Sequence, residues 1–169
     1  MLDLGGNRSS YPHYRPQTVR GKINVMQHVA IMRKSWGLLP KILSGEKTIE
    51  SRWYRTKYNP WDAIKKGDWV YFKNSGGPIE LKAQVIRVLQ FSELVPEKVF
   101  DLLRKYGKRD GIQKTDIQHY YRIFRDKKYC LLIFLGHPQS VKPFHIDKTG
   151  FGAMAAWITT KNIEKLRVS

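Results

Sequence analysis

Gly45-Glu-Lys-Thr-Ile-Glu-Ser-Arg52 gathers a lysine, a glutamate and an arginine at the spacing G-x-K-x-x-E-x-R. Gly45 suits the point where a helix stops and the backbone must turn with φ > 0. In an extended strand, Thr48, Glu50 and Arg52 share one face, and Ile49 and Ser51 share the other. Glu50 and Arg52 are then same-side neighbours whose forked groups can pair. Lys47 stands at the mouth of that strand, a mobile cation able to reach into a pocket. Two chemistries fit. Either the ion pair merely holds the fold with Lys47 solvated, or Lys47 reaches into a pocket. There, a lysine desolvated beside other cations would have a lowered pKa and act as a base, and a carboxylate would carry the proton.

Cations interleaved with rings form the second constellation. Trp53 and Tyr54 follow the motif directly, among Arg52, Arg55 and Lys57. Base stacking combined with phosphate contact needs that mixture; the same rings would also fill the end of a small barrel. Arg104-Lys-Tyr-Gly-Lys-Arg109 places further cations at a helix end, including Lys108 and Arg109. These either complement the helix dipole or, with Lys114, Arg122, Arg125, Lys127 and Lys128, track phosphates.

The elements that must position these groups follow from periodicity. His28–Arg33 reads as a short strand, and Ser35 offers an N-cap for a helix running to about Ser44, bent or confined by Pro40. Lys47–Tyr54, Gly67–Lys73 and Ile79–Phe91 alternate as strands, with a turn at Asn74–Pro78. Pro96 opens a helix carrying Val99, Leu102, Leu103 and Tyr106. A second helix, Thr115–Phe124, presents Ile117, Tyr120, Tyr121 and Phe124 on one face. Tyr129–Leu135 is a buried strand, Val141–Ile146 a further strand, and Asn162–Arg167 a last short helix. Strands outnumber helices and short links join them, so the expectation is a mixed α+β, mainly β fold: a small β-barrel with flanking helices. Residues 1–25, rich in Gly, Ser, Pro and Arg, read as a flexible basic lead, with the domain proper over 26–169.

Composition narrows the function. The 169 residues hold 31 Lys and Arg against 14 Asp and Glu, a formal charge of +17. Such self-repulsion is offset by phosphate-bearing partners, which makes RNA or a nucleotide the leading partner class. The longest apolar run, Tyr129–Leu135, falls far short of the roughly 20 residues that span a bilayer. A single cysteine, Cys130, excludes an internal disulfide and a multi-thiolate zinc site, and the leading segment has no apolar signal core. An intracellular, cytoplasmic address is therefore expected. The five histidines lack ligand spacing, so no metal and no cofactor is implied. No Gly-rich phosphate loop and no Gly-x-Ser-x-Gly elbow occurs, which argues against nucleotide-hydrolysing and serine-hydrolase folds.

The Gly45–Arg52 motif, the preceding Leu39-Pro-Lys-Ile-Leu-Ser44 and the following Gly67-Asp68 together resemble the ASCH family, a branch of the PUA-like fold. The resemblance covers about residues 26–135. It implies a PUA-like small β-barrel in which this junction lines a cleft for RNA or a nucleotide. Lys47 would touch phosphate or substrate, and Glu50 and Arg52 would shape the site. Some ASCH-like proteins are amidohydrolases acting on acetylated cytidine, and one is a ribonuclease. In the amidohydrolase pattern the motif lysine works with a hydroxyl residue three positions on and a downstream carboxylate. Here position 50 is Glu rather than Thr. The resulting expectation is an RNA- or nucleotide-binding domain using Lys47, Arg52, Trp53, Arg55, Lys57, Lys108 and Arg109. The alternative is a hydrolase of modified nucleosides or RNA with Lys47, Glu50 and Asp110 catalytic. A protein-interaction adaptor is a third reading.

Overall fold

Residues 24–168, which the computed structural model describes, form one six-stranded sheet with helices packed against it. The strands are β1 (Gln27–Met32), β2 (Ile49–Tyr54), β3 (Trp69–Asn74), β4 (Ile79–Phe91), β5 (Tyr129–Phe144) and β6 (Trp157–Thr160). The helices are α1 (Leu38–Ser44), α2 (Pro96–Tyr106) and α3 (Ile117–Phe124). The strand order is β2-β5-β4-β3-β1-β6; β1 and β3 run parallel and the other pairs antiparallel. The sheet curls into a half-barrel whose unpaired edges, β2 and β6, leave a seam. The fold is mixed α+β and mainly β, as the sequence predicted. Residues 1–23, and with them nearly all of the expected basic lead, lie outside the described residues.

Alternation along the strands sorts the side chains into layers. Phe72, Ala83, Leu131 and Ile133 fill the concave side, where α1 inserts Leu39 and Ile42. On the convex side, α2 lays Val99, Leu102 and Leu103 over Ile49, Cys130, Leu132 and Phe134. The rest of that side is covered by Ile163 with Val29, Tyr71 and Ile158. Each large apolar side chain so buried contributes about 1.5–3 kcal/mol. Among the described residues no helix is long and apolar enough to cross a membrane.

Two local expectations are corrected. Ser35 caps no helix: Lys34–Trp36 form a 3-10 turn closed by Gly37 at φ 58°, and α1 starts only at Leu38. Pro40 then falls in the first helical turn, where its missing N–H is no loss. The expected strand over Val141–Ile146 is the far half of β5, one continuous strand of 16 residues. Gly136-His-Pro-Gln-Ser140 interrupts the apolar pattern, yet it bends rather than ends the strand. His137 has φ 52°, and the β4–β5 register shifts at three places. Such bulges curve a sheet without breaking it.

A buried polar knot ties the start of β1 to the β2–β3 connection. Asp68 accepts from the Met26 and Lys65 amides, each at 2.9 Å, and from His28 Nε2 at 3.1 Å. Trp157 Nε1 donates to His28 Nδ1 at 3.1 Å, which fixes the neutral tautomer with its proton on Nε2. Burial, opposed only in part by Asp68, holds the imidazole below its ordinary pKa. The unfolded chain therefore takes up this proton first as pH falls. His28 contributes stability that is intact above about pH 6.5. That stability drains on acidification through the lower native pKa, at up to about 1.4 kcal/mol per pH unit. Urea midpoints measured from pH 8 down to 5 are expected to fall below pH 6.5, and His28→Asn should flatten that fall. A wild-type midpoint level across the range would contradict the lowered His28 pKa.

Candidate functional site at the β2 edge

The chain leaves α1 through Gly45, whose φ of 81° lets it reverse direction. The Lys47 amide then donates to the Lys41 carbonyl at 2.9 Å, and the Thr48 amide to the Arg109 carbonyl at 2.8 Å. These bonds wedge residues 46–48 between α1 and the short 3-10 turn Lys108–Asp110 that follows α2. Gly111 closes over the lysine. A β-carbon there would sit 3.3 Å from a Leu38 methyl and 3.5 Å from Lys47 Cδ, and its φ is 82°.

Lys47 is consequently only 2% exposed. Its ammonium donates to Asp110 Oδ1 at 2.5 Å, to the Ile49 carbonyl at 2.6 Å and to the Asp110 carbonyl at 2.8 Å; Glu50 Oε2 lies 3.2 Å away. Three protons meet four acceptors, so no donor is left for a guest. Glu50 Oε1 pairs with Arg52 at 3.0 Å. Asp110 also accepts from the Ser51 amide at 3.2 Å and from Ser51 Oγ at 2.5 Å, and Trp53 Nε1 donates to the same Ser51 oxygen at 3.0 Å. The free edge of β2 is thereby sealed by side chains instead of another strand. A continuous hydrogen-bonded chain runs Trp53–Ser51–Asp110–Lys47–Glu50–Arg52.

The electrostatics reverse one expectation. Burial alone would lower the Lys47 pKa, but Asp110 and Glu50 outweigh it and hold the ammonium above its ordinary value. Lys47 is neither mobile nor a neutral base; its neighbours are carboxylates, not cations. Burial pushes Asp110 upward against the opposing pull of Lys47.

Beside this chain lies a cavity of about 390 Å³ in the half-barrel seam. Trp36, Trp53, Tyr54, Tyr120 and Phe124 supply ring surface, and Arg33, Lys47, Glu50, Ser51, Arg52 and Asp110 supply polar surface. Arg52 spans the seam. Its guanidinium donates to the Ala156 carbonyl at 3.3 Å and sits 4.9 Å from the Trp157 ring, while its buried Nε has no partner among the described residues. Lys47 and Arg52 balance Glu50 and Asp110 in the interior, and exposed Arg33 adds one positive charge to the lining.

Of the residues singled out in the sequence, Lys47, Glu50, Arg52, Trp53 and Asp110 converge on this cavity. Trp53 is largely a core residue, 9% exposed and stacked on Phe124 at 4.9 Å with an interplanar angle of 8°. Arg55, Lys57, Lys108 and Arg109 do not line the cavity. Arg109 bonds Thr48 Oγ1 at 3.0 Å instead. Ser51 and the Tyr120/Phe124 pair were not singled out as site residues. Ser51 stands inside the motif, and Tyr120 and Phe124 recur at i, i+4 on α3, a pattern that reads as core packing. Among the described residues no group of three or more His, Cys, Asp or Glu is placed to hold a metal ion.

No family model matches the sequence, and no curated protein does. Solved structures do match. A mutant of the ASCH protein from Zymomonas mobilis superposes with a TM-score of 0.58 at 15% identity, over 82% of this chain and 93% of its own. Another crystal structure of that ASCH protein gives a TM-score of 0.50 at 18% identity, over 69% of this chain and 71% of its own. At such identities the likeness is one of fold. With its curled sheet, seam and flanking helices, the chain has the fold of that ASCH protein.

Proposed function

We propose that the chain binds RNA, or a nucleotide derived from it, by taking a base into the seam cavity and leaving the phosphate on the cationic rim. The observation that carries this reading is the cavity itself: about 390 Å³, lined by five aromatic side chains and by the Arg52 side chain. The volume falls in the range of small-molecule sites. Ring walls suit a planar heterocycle, and a guanidinium in the lining suits a base carbonyl. A phosphate gains little inside, because the interior charges cancel and Lys47 is saturated. The excess positive charge lies outside, where counterion release contributes most of the affinity.

A second reading is favoured by one specific feature, the convergence of Ser51, Asp110 and Lys47. Asp110 accepts a hydrogen bond from the Ser51 hydroxyl, and burial pushes its pKa upward, so it suits the role of base. Lys47 would stabilise developing negative charge. That arrangement fits a hydrolase of modified nucleosides or RNA.

One experiment serves both readings. A fluorescein-labelled mixed-sequence RNA is titrated at rising salt, with nucleoside monophosphates as competitors, and the same samples are assayed for products. Binding is expected to weaken with a log–log slope of about −0.7 per phosphate contacted, with monophosphates competing. Salt-insensitive or absent binding overturns the binding reading. Absence of product from RNA and from acylated nucleosides removes the hydrolase.

A further inference from the structure

The cavity opens beside a surface whose character is quite different from its neutral interior. Tyr54 lines the cavity, and its hydroxyl donates to the Asn59 carbonyl at 3.1 Å, anchoring the turn that carries Tyr58. The Tyr58 ring is 68% exposed, and its centroid lies 6.3 Å from that of Tyr54. Beyond that contact the ring is open to solvent, one step from a ring-lined hollow. Beyond it, Trp61 meets Tyr129 edge-on at 5.3 Å, with the Lys57 ammonium 5.9 Å and 5.8 Å from the two rings.

The flank is cationic for a topological reason. Tyr54 pairs with Tyr129 across β2 and β5, and the Lys128 amide donates to the Tyr54 carbonyl at 2.9 Å. Those contacts bring the α3–β5 turn, with Arg125, Lys127 and Lys128, alongside Arg55 and Lys57. Over residues 122–128 and 55–57 the one carboxylate is Asp126. Arg55, Lys57, Arg125 and Lys128 are exposed, and none of the five forms an ion pair among the described residues. Phe124, which ends α3, lines the cavity, so this turn adjoins its mouth.

Resting on the base-binding reading above, we infer that the ligand is a single-stranded RNA segment rather than a free nucleotide. One base enters the seam, the adjoining base stacks on Tyr58, and the linking phosphates lie along the α3–β5 turn. A duplex is disfavoured because its bases are stacked inward and cannot reach an exposed ring.

The test compares a fluorescein-labelled single-stranded RNA oligomer, the same sequence as a duplex, and a nucleoside monophosphate. Tyr58→Ala is expected to weaken oligomer binding about 5- to 100-fold, to leave monophosphate binding unchanged, and to be rescued by Tyr58→Phe. Alanines at Arg125, Lys127 and Lys128 together should flatten the salt slope by about 2. Oligomer affinity unchanged in Tyr58→Ala, or equal affinity for duplex and single strand, overturns the inference while the cavity reading stands. Failure of the wild type to bind oligomer or monophosphate overturns both.

Discussion

Lys47→Met is expected to destabilise the domain by about 3–5 kcal/mol, the cost of breaking a buried ion pair from one side. The methionine nearly fills the lysine's volume, so the loss is electrostatic. Asp110 and Glu50 would face each other without the ammonium between them, and the Ile49 and Asp110 carbonyls would lose their donor. An exposed lysine would cost no more than about 1 kcal/mol. The measurement is urea denaturation with the slope monitored, and the melting temperature should drop by on the order of 10 °C. Adding Asp110→Asn to Lys47→Met should cost less than the sum of the single changes, because the second removes the charge stranded by the first. A Lys47→Met midpoint equal to wild type would show that the ammonium is not the keystone of the β2 edge. The sign with pH also follows. The Lys47 pKa is raised, so its contribution is intact below the ordinary lysine pKa of about 10.4 and lost only as pH rises through the higher native value. Acidification to pH 8 or 7 leaves it untouched.

Arg52→Met carries the second large effect, divided between stability and binding. The side chain is 13% exposed and joins Glu50 on its own strand to Ala156 across the seam. Its removal takes one of two partners from a buried carboxylate, at about 1.5–3 kcal/mol for a charged hydrogen bond. Arg52 lines the cavity, so RNA and monophosphate affinity should both fall about 10- to 100-fold. Arg52→Lys should not restore binding: one compact ammonium cannot hold Glu50, the Ala156 carbonyl and a base together. Fluorescence titration beside urea denaturation separates the two losses. Affinity unchanged in a folded Arg52→Met protein would remove Arg52 from the binding site.

Much of the fold could be read along the chain. The bounds of β4 and α2 follow from alternation and from Pro96, and Gly45 stands at the end of α1 where a left-handed residue is needed. These are local effects, settled by a few neighbouring residues. Tyr129–Leu135 and Val141–Ile146 read as two strands because the apolar pattern lapses over Gly136–Ser140. Pairing with β4 on one side keeps the strand continuous through its bulges, and that partner is remote in sequence.

The chemistry separates along the same line. The sequence by itself determined that a lysine, a glutamate and an arginine would meet at a helix-to-strand junction, because strand geometry places Glu50 and Arg52 on one side whatever surrounds them. It also determined a strongly cationic chain suited to phosphate. Tertiary structure alone decided that Lys47 is walled in and spent on Asp110, 63 positions away, and that Ser51 joins them. It also decided that the rings of α3 wall a cavity against β2 while the free cations stand outside it. Charge state and accessibility are set by what packs around a group, and here the packing comes from segments brought together only when the half-barrel curls.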